Sequence, residues 1–223
     1  MPPANRSGNR VERDQVLKRR TPSLGYYFIV TDTKETEHNY MLGLRDSIPK
    51  EFQGKLVIKV KKTKTCNLVE EALNLASINP QYGEIWIVFD RDQVPDFDEI
   101  ILEALKSGIN VGWTNPCIEE WFHAYFGSMP VCNNSVACCE TFSRAFNQRS
   151  NQDYQKNDKL IYQKLNQFGN ESLAIRIASQ KMKEHEINEK NKPSEKAPGT
   201  TVHLLIREIK SKIYEQEKNH ENR

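Results

Sequence analysis

No stretch of about 18 consecutive apolar residues occurs in this 223-residue chain, so a membrane-spanning helix is not expected. Its N-terminus is polar and basic and has no apolar h-region, which argues against secretion. A net charge of only +2 neither demands nor excludes a nucleic-acid partner. Cysteine is scarce and odd in number, five residues at 66, 117, 132, 138 and 139. A secreted disulfide scaffold is therefore not expected, and reduced thiols in a cytoplasm fit better. Cys132, Cys138 and Cys139 stand close together and invite a zinc reading. No CxxC pair accompanies them, and adjacent cysteines suit one tetrahedral site poorly, so structural thiols are the expectation. No internal repeat is evident.

Against these absences stands a regular alternation of strand and helix. Tyr26 to Val30 reads as a first buried strand, ending at Thr31-Asp32-Thr33. Thr36 is placed to cap a helix whose apolar face is Tyr40, Met41, Leu44 and Ile48, and Pro49 stops it. Leu56 to Val60 is a second strand. Asn67 and Glu70 have capping-box spacing for the helix that follows. A third strand, residues 84–89, is a continuous apolar run of the kind found in buried parallel sheets. Asp96 and Glu99 open the next helix, whose face is Phe97, Ile100, Ile101, Ala104 and Leu105, with Gly108 as its stop. Residues 109–113 are a fourth strand, and Asn115-Pro116 reads as cap and first residue of another helix.

The fold expected is therefore α/β: a parallel sheet flanked by helices over residues 23–127, with a C-terminal helical extension over 128–223. Residues 1–22, basic through Arg6, Arg10, Arg13, Lys18, Arg19 and Arg20, read as a flexible segment. In the extension, 160–168 and 172–182 are helix candidates. Residues 184–200, charged and holding Pro193 and Pro198, read as a mobile linker before a last amphipathic helix on Val202, Leu205, Ile206 and Ile209.

The carboxyl ends of parallel strands lie along one edge, where open α/β sheets bind ligands. Asp32 follows the first strand, Asp90 and Asp92 the third, and the turn Thr114–Glu119 the fourth. Carboxylates from separate elements around an open space are what a hard divalent cation requires. Aspartates in such places also cap helices, and Asp96 and Asp98 are read that way. Asp90 and Asp92 instead interrupt an apolar strand, with Arg91 between them as a partner or phosphate contact. Glu37 and Glu119 sit in first helical turns, where helix electrostatics alone explains an acid. Solvation is the default reading for His38, for Lys34, and for the basic run Lys59 to Lys64, although clustered lysines also suit a phosphate backbone.

These segments resemble the Toprim fold of topoisomerases, primases and several nucleases, and more closely its RloB-like branch. Residues 29–40, ending in Thr36-Glu37-His38-Asn39-Tyr40, are similar to that family's first block. Val88-Phe89-Asp90-Arg91-Asp92 resembles its Asp-x-Asp block. Thr114 to Trp121 resembles its Ser-Asn-Pro-Cys-Phe-Glu-Leu-Trp block, and Pro198 to His203 resembles a further segment. One departure matters. The family has Glu-Gly where this chain has Asp32-Thr33, one methylene shorter at a position that serves as metal ligand or acid/base in Toprim enzymes. A displacement of about 1 Å can lower a rate about a hundredfold.

The resemblance implies a nuclease dependent on Mg²⁺ (or Mn²⁺), hydrolysing phosphodiesters of DNA or RNA, tRNA included. Its setting would be prokaryotic antiviral defence of the abortive-infection type, alongside an ABC- or SMC-like ATPase subunit. It would be cytoplasmic, without membrane association, and compatible with oligomerisation. On this expectation Asp90 and Asp92 bind metal, with Asp32 as third ligand or base. Glu119 supports the site from its helix and Glu37 orients ligands. Lys34, Arg91, Lys61, Lys62 and Lys64 contact nucleic acid. The alternative is a catalytically degenerate Toprim domain serving as a regulatory or binding subunit of an ATPase complex. A haloacid-dehalogenase-like phosphatase also begins with Asp-x-Asp, but a Gly-Thr turn follows there and Gln93-Val94-Pro95 follows here.

Overall fold

A computed structural model describes residues 24–31, 35–60, 65–92 and 94–221. The basic N-terminal segment, Asp32, Lys34 and the lysines at 61, 62 and 64 lie outside the described residues. Five strands form one sheet: β1 (Tyr27–Thr31), β2 (Leu56–Val60), β3 (Glu84–Asp90), β4 (Asn110–Asn115) and β5 (Gly199–Thr200). The strand order is β2-β1-β3-β4-β5. The first four strands are parallel, and β5 alone is antiparallel, at the β4 edge. Nine α-helices flank the sheet among the described residues. They are α1 (Thr36–Ser47), α2 (Lys50–Gln53), α3 (Leu68–Ile78), α4 (Phe97–Lys106), α5 (Glu119–Ala124), α6 (Ser135–Ser150), α7 (Ile161–Phe168), α8 (Glu171–Ile187) and α9 (Val202–Glu221). None is long and apolar enough to cross a membrane.

Because strand side chains alternate, the sheet buries two cores. Phe28, Val30, Ile87, Phe89, Val111 and Trp113 face α3 and α4, meeting Leu68, Val69, Phe97, Ile100 and Ile101. Tyr27, Ile29, Trp86 and Val88 face the opposite way. There Tyr40 and Leu44 of α1, Trp121 and Phe122 of α5, and Val202, Leu205 and Ile209 of α9 cover them. The C-terminal extension thus continues the second core. Glu171, at the start of α8, is a buried tie within it. Its carboxylate accepts from Tyr125 at 3.1 Å and Tyr162 at 2.8 Å, and pairs with Lys210 of α9.

Three local expectations are corrected. Residues 184–200 are not a free linker. They hold the end of α8, a 3₁₀ turn at Pro193–Glu195 and strand β5. The prolines and charges read as linker chemistry, whereas the backbone there is fixed by partners distant in sequence. Ser194 N and Oγ donate to Asp98 at 2.8 and 2.5 Å. The second correction concerns Asn115, which ends β4; the bond to Pro116 is cis, and the helix begins only at Glu119. The third concerns Thr36, which is the first residue of α1 rather than its cap, and its hydroxyl donates to Lys156 O at 3.0 Å. Asn67 and Asp96 do precede their helices, yet neither side chain makes a capping hydrogen bond.

Gly43 lets α1 approach α7: a Cβ there would overlap the Tyr162 Cβ. Gly43→Ala is expected to lower stability by about 1–3 kcal/mol through overpacking, read as a lower urea midpoint at unchanged m-value. Stability should also depend on acidity. His203 of α9 is buried, and desolvation lowers its pKa to about 4. Above pH 6.5 the imidazole is neutral in both states. Between 6.5 and 4 only the unfolded chain takes up the proton, so folding weakens, by on the order of 3 kcal/mol in all. His203→Gln is expected to flatten the acid limb of Tm against pH.

Candidate active site

The carboxyl edge of the sheet is built in register. Thr31, closing β1, lies between Val60 of β2 and Val88 of β3. Strand β3 runs two residues further, so Asp90 comes opposite Thr114 of β4. By strand alternation Asp90 shares the face of Val88, the side covered by α1, α5 and α9. The backbone then turns sharply. Arg91 N donates to Thr114 O at 2.8 Å, and Asp92 N to Pro116 O at 2.9 Å, which laces the loop after β3 to the one after β4. Asp92 is exposed and has φ +28°, in the left-handed region that disfavours L-residues.

Helix α5 delivers Glu119, which is 1% exposed. Its Oε1 accepts from the Tyr154 hydroxyl at 2.9 Å and stands 3.8 Å from Lys156 Nζ. Tyr154 and Lys156 come from the segment between α6 and α7. Burial, then Glu119, raises the Tyr154 pKa well above the ordinary tyrosine range. Burial alone would lower Lys156, but the charge of Glu119, with smaller contributions from Cys139, Cys117 and Asp90, outweighs it and raises its pKa. Lys156 therefore lies within electrostatic reach of both Glu119 and Asp90. Its backbone carbonyl holds Thr36, next to buried Glu37 in the first turn of α1. A groove of about 560 Å³ opens at the same edge beside Val60, lined by His38, Asp46, Lys159 and Gln163 among others.

The structure thus sets Glu119 against Lys156, with Asp90 at the end of β3 within electrostatic reach of that lysine, Glu37 buried in the first turn of α1 and Asp92 exposed on the turn after β3. Asp32 lies outside the described residues. Arg91 is directed elsewhere: its Nη1 donates to Ser194 O at 2.9 Å, tying the Asp-x-Asp turn to the 3₁₀ segment. Tyr154 and Lys156 were missed by the sequence reading. They sit in a polar stretch without periodicity, and only the fold carries them to the strand ends.

A family model for RloB-like proteins matches residues 27–209. The chain belongs to the RloB-like family. The matched span takes in all five strands and the first two turns of α9, so most of the extension is part of the family's unit. No curated protein and no solved structure matches the chain.

The donor set at this RloB-like edge suits Mg²⁺ in chemical type. That ion is held by one or two carboxylates and keeps several waters, so it needs no closed protein cage. Asp90 and Asp92 offer hard oxygens on a turn fixed by backbone hydrogen bonds. Among the described residues these acids do not form a compact group of three; the one such group is Glu120, Cys132 and Cys138, on the far side of α5's first turn. The backbone of Asp92 gives a test of its own. Asp92→Gly is expected to be more stable than Asp92→Ala by about 1 kcal/mol, measured by urea unfolding, because only glycine adopts φ +28° without strain.

Proposed function

We propose that this RloB-like protein is a divalent-metal-dependent nuclease of the Toprim type, hydrolysing phosphodiester bonds in DNA or RNA. The observation that carries the reading is the Asp90-Arg91-Asp92 turn at the carboxyl edge of a parallel sheet, laced to the loop after β4, with the Glu119–Lys156 pair close by. Asp90 and Asp92 would hold Mg²⁺ or Mn²⁺, with Asp32 as third ligand or base. The ion supplies charge neutralisation at the phosphate and a nucleophilic water near neutral pH.

The chain's own groups do the positioning. Glu119, gripped by Tyr154, pairs with the half-exposed Lys156 ammonium at 3.8 Å, which would be available to a phosphate. Thr36 anchors the Lys156 backbone and so couples α1, with Glu37, to the same spot. Lys34, Lys61, Lys62 and Lys64 would add phosphate contacts further along the strand. In the family setting the protein would act in prokaryotic antiviral defence, restrained or released by an ABC- or SMC-like ATPase subunit. The resemblance alone supports that part of the reading.

A nuclease assay with Mg²⁺ on plasmid, single-stranded DNA and total RNA tests it. Asp90→Ala is expected to remove cleavage at least a hundredfold while leaving Tm nearly unchanged. Equal residual activity in wild type and variant would identify a contaminant, and no cleavage by wild type even with its ATPase would sink the proposal. Lys156→Ala is expected to cost about tenfold, or about 1.4 kcal/mol of transition-state stabilisation.

A second reading has its own support. Arg91 is engaged by the fold, the acids form no compact triad among the described residues, and Asp32 replaces the family's glutamate. A degenerate domain acting as a binding subunit of the ATPase fits those features. Asp32→Glu separates the two: gain of cleavage from an inert wild type favours degeneracy, and an active wild type removes it.

A further inference from the structure

Behind the strand edge, the start of α5 and the segment that leads into α6 bring soft and hard metal ligands together. Glu120 is the second residue of α5, Cys132 lies in the loop before α6, and Cys138 stands in the first turn of α6. One carboxylate oxygen and two sulfurs from these side chains all lie within 4.8 Å of one another. The Cys138 thiol donates to Glu120 Oε1 at 3.4 Å. Cys117, three residues before Glu120, stands outside that group of three but is a further buried thiol near Cys138, and it donates to Ser135 O at 3.7 Å. Cys139 is turned away, toward Glu119 and Ser143.

A separate observation points to an absent partner. Glu120 is completely buried, and its Oε2 has no hydrogen-bond donor. An unsatisfied buried oxygen costs about 1–3 kcal/mol, more if charged, so it calls for a cation or a donor. The thiols beside it are poor donors, whereas thiolate sulfur and carboxylate oxygen are both ligand types that Zn²⁺ takes.

We propose that Cys132, Cys138 and Glu120, with Cys117 as the fourth ligand, bind one structural Zn²⁺. Tetrahedral ligands with Zn–S bonds of about 2.3 Å stand roughly 3.7 Å apart, so the three clustered groups need contract by only about 1 Å. On binding, three thiol protons pass to solvent. Three thiolates and a carboxylate around Zn²⁺ carry the same formal charge as a Cys₄ site. The ion joins α5 to the loop and first turn of α6. Glu120 is the direct neighbour of Glu119, so the same clasp fixes the carboxylate that holds Tyr154 and Lys156. Spacing hid this arrangement: with Cys138 and Cys139 adjacent the thiols read as structural, while the fold sets Cys132 and Cys138 beside Glu120 from another segment.

The test uses the full chain, purified under reductant and without chelator, with elemental analysis of bound metal. About one zinc per chain is expected, released when a mercurial blocks the thiols. Cobalt-substituted wild type is expected to show a thiolate-to-cobalt charge-transfer band and the intense d–d bands of a tetrahedral site. Cys132→Ser and Cys138→Ser should lose the ion; Cys139→Ser, Cys66→Ser and Asp90→Ala should keep it. Retention in Asp90→Ala separates this site from the Mg²⁺ reading, which can fail independently. Reduced wild type that takes up neither zinc nor cobalt through sulfur overturns the proposal, as does zinc retained by the Cys132→Ser/Cys138→Ser double variant. The wild-type cobalt spectrum decides the matter even where a variant fails to fold.

Discussion

The geometry of the strand edge depends on a strap made by the segment between α8 and α9. Its backbone and side chains stitch the ends of β3 and β4 from one side. Ser194 O accepts from Arg91, Asn115 Nδ2 donates to the carbonyls of Pro193 and Ser194, and Asp98 takes both donors of Ser194. Five residues after Ser194 the chain becomes β5, and Thr200 bonds to Thr114 at 2.9 Å between hydroxyls. Thr201 then donates to Val111 O and Trp113 O, closing the edge of β4. Without these bonds the last turn of β3, which carries Asp90 and Asp92, would be held only by its own neighbours. The strap also seals an edge strand that would otherwise present unpaired backbone groups.

A buried polar core complements the strap. Tyr40, Tyr125, Tyr162, Glu171 and Lys210 share hydrogen bonds and an ion pair among α1, α5, α7, α8 and α9. Burial raises the pKa values of Tyr40 and Tyr125 well above the ordinary tyrosine range, so both remain donors within the network. Such a network is directional where apolar packing is not. It fixes how α5 lies against the sheet, and α5 is the helix that presents Glu119 to one side and Glu120 to the other.

Much of this was legible along the chain. Largely apolar runs at 26–30, 56–60 and 84–89 marked the strands to within a residue, because a sheet covered on both faces needs both alternating sets apolar. The Asp-x-Asp turn stood out because charge ends such a run abruptly. The 184–200 segment misled because proline and lysine report local preference, while its structure comes from long-range partners such as Asp98 and Asn115. Asn115-Pro116 misled similarly, since a helix-start signature was used to end a strand.

By itself the sequence determined the α/β class, the RloB-like membership and the acids at the strand ends, because periodicity and local motifs are properties of neighbouring residues. Only the tertiary structure decided which side chains meet. It placed Tyr154 and Lys156 against Glu119, turned Arg91 inward to Ser194, and gathered Glu120, Cys132 and Cys138 from two segments. Those contacts arise from helix packing across the sheet, over separations in sequence where no local preference operates.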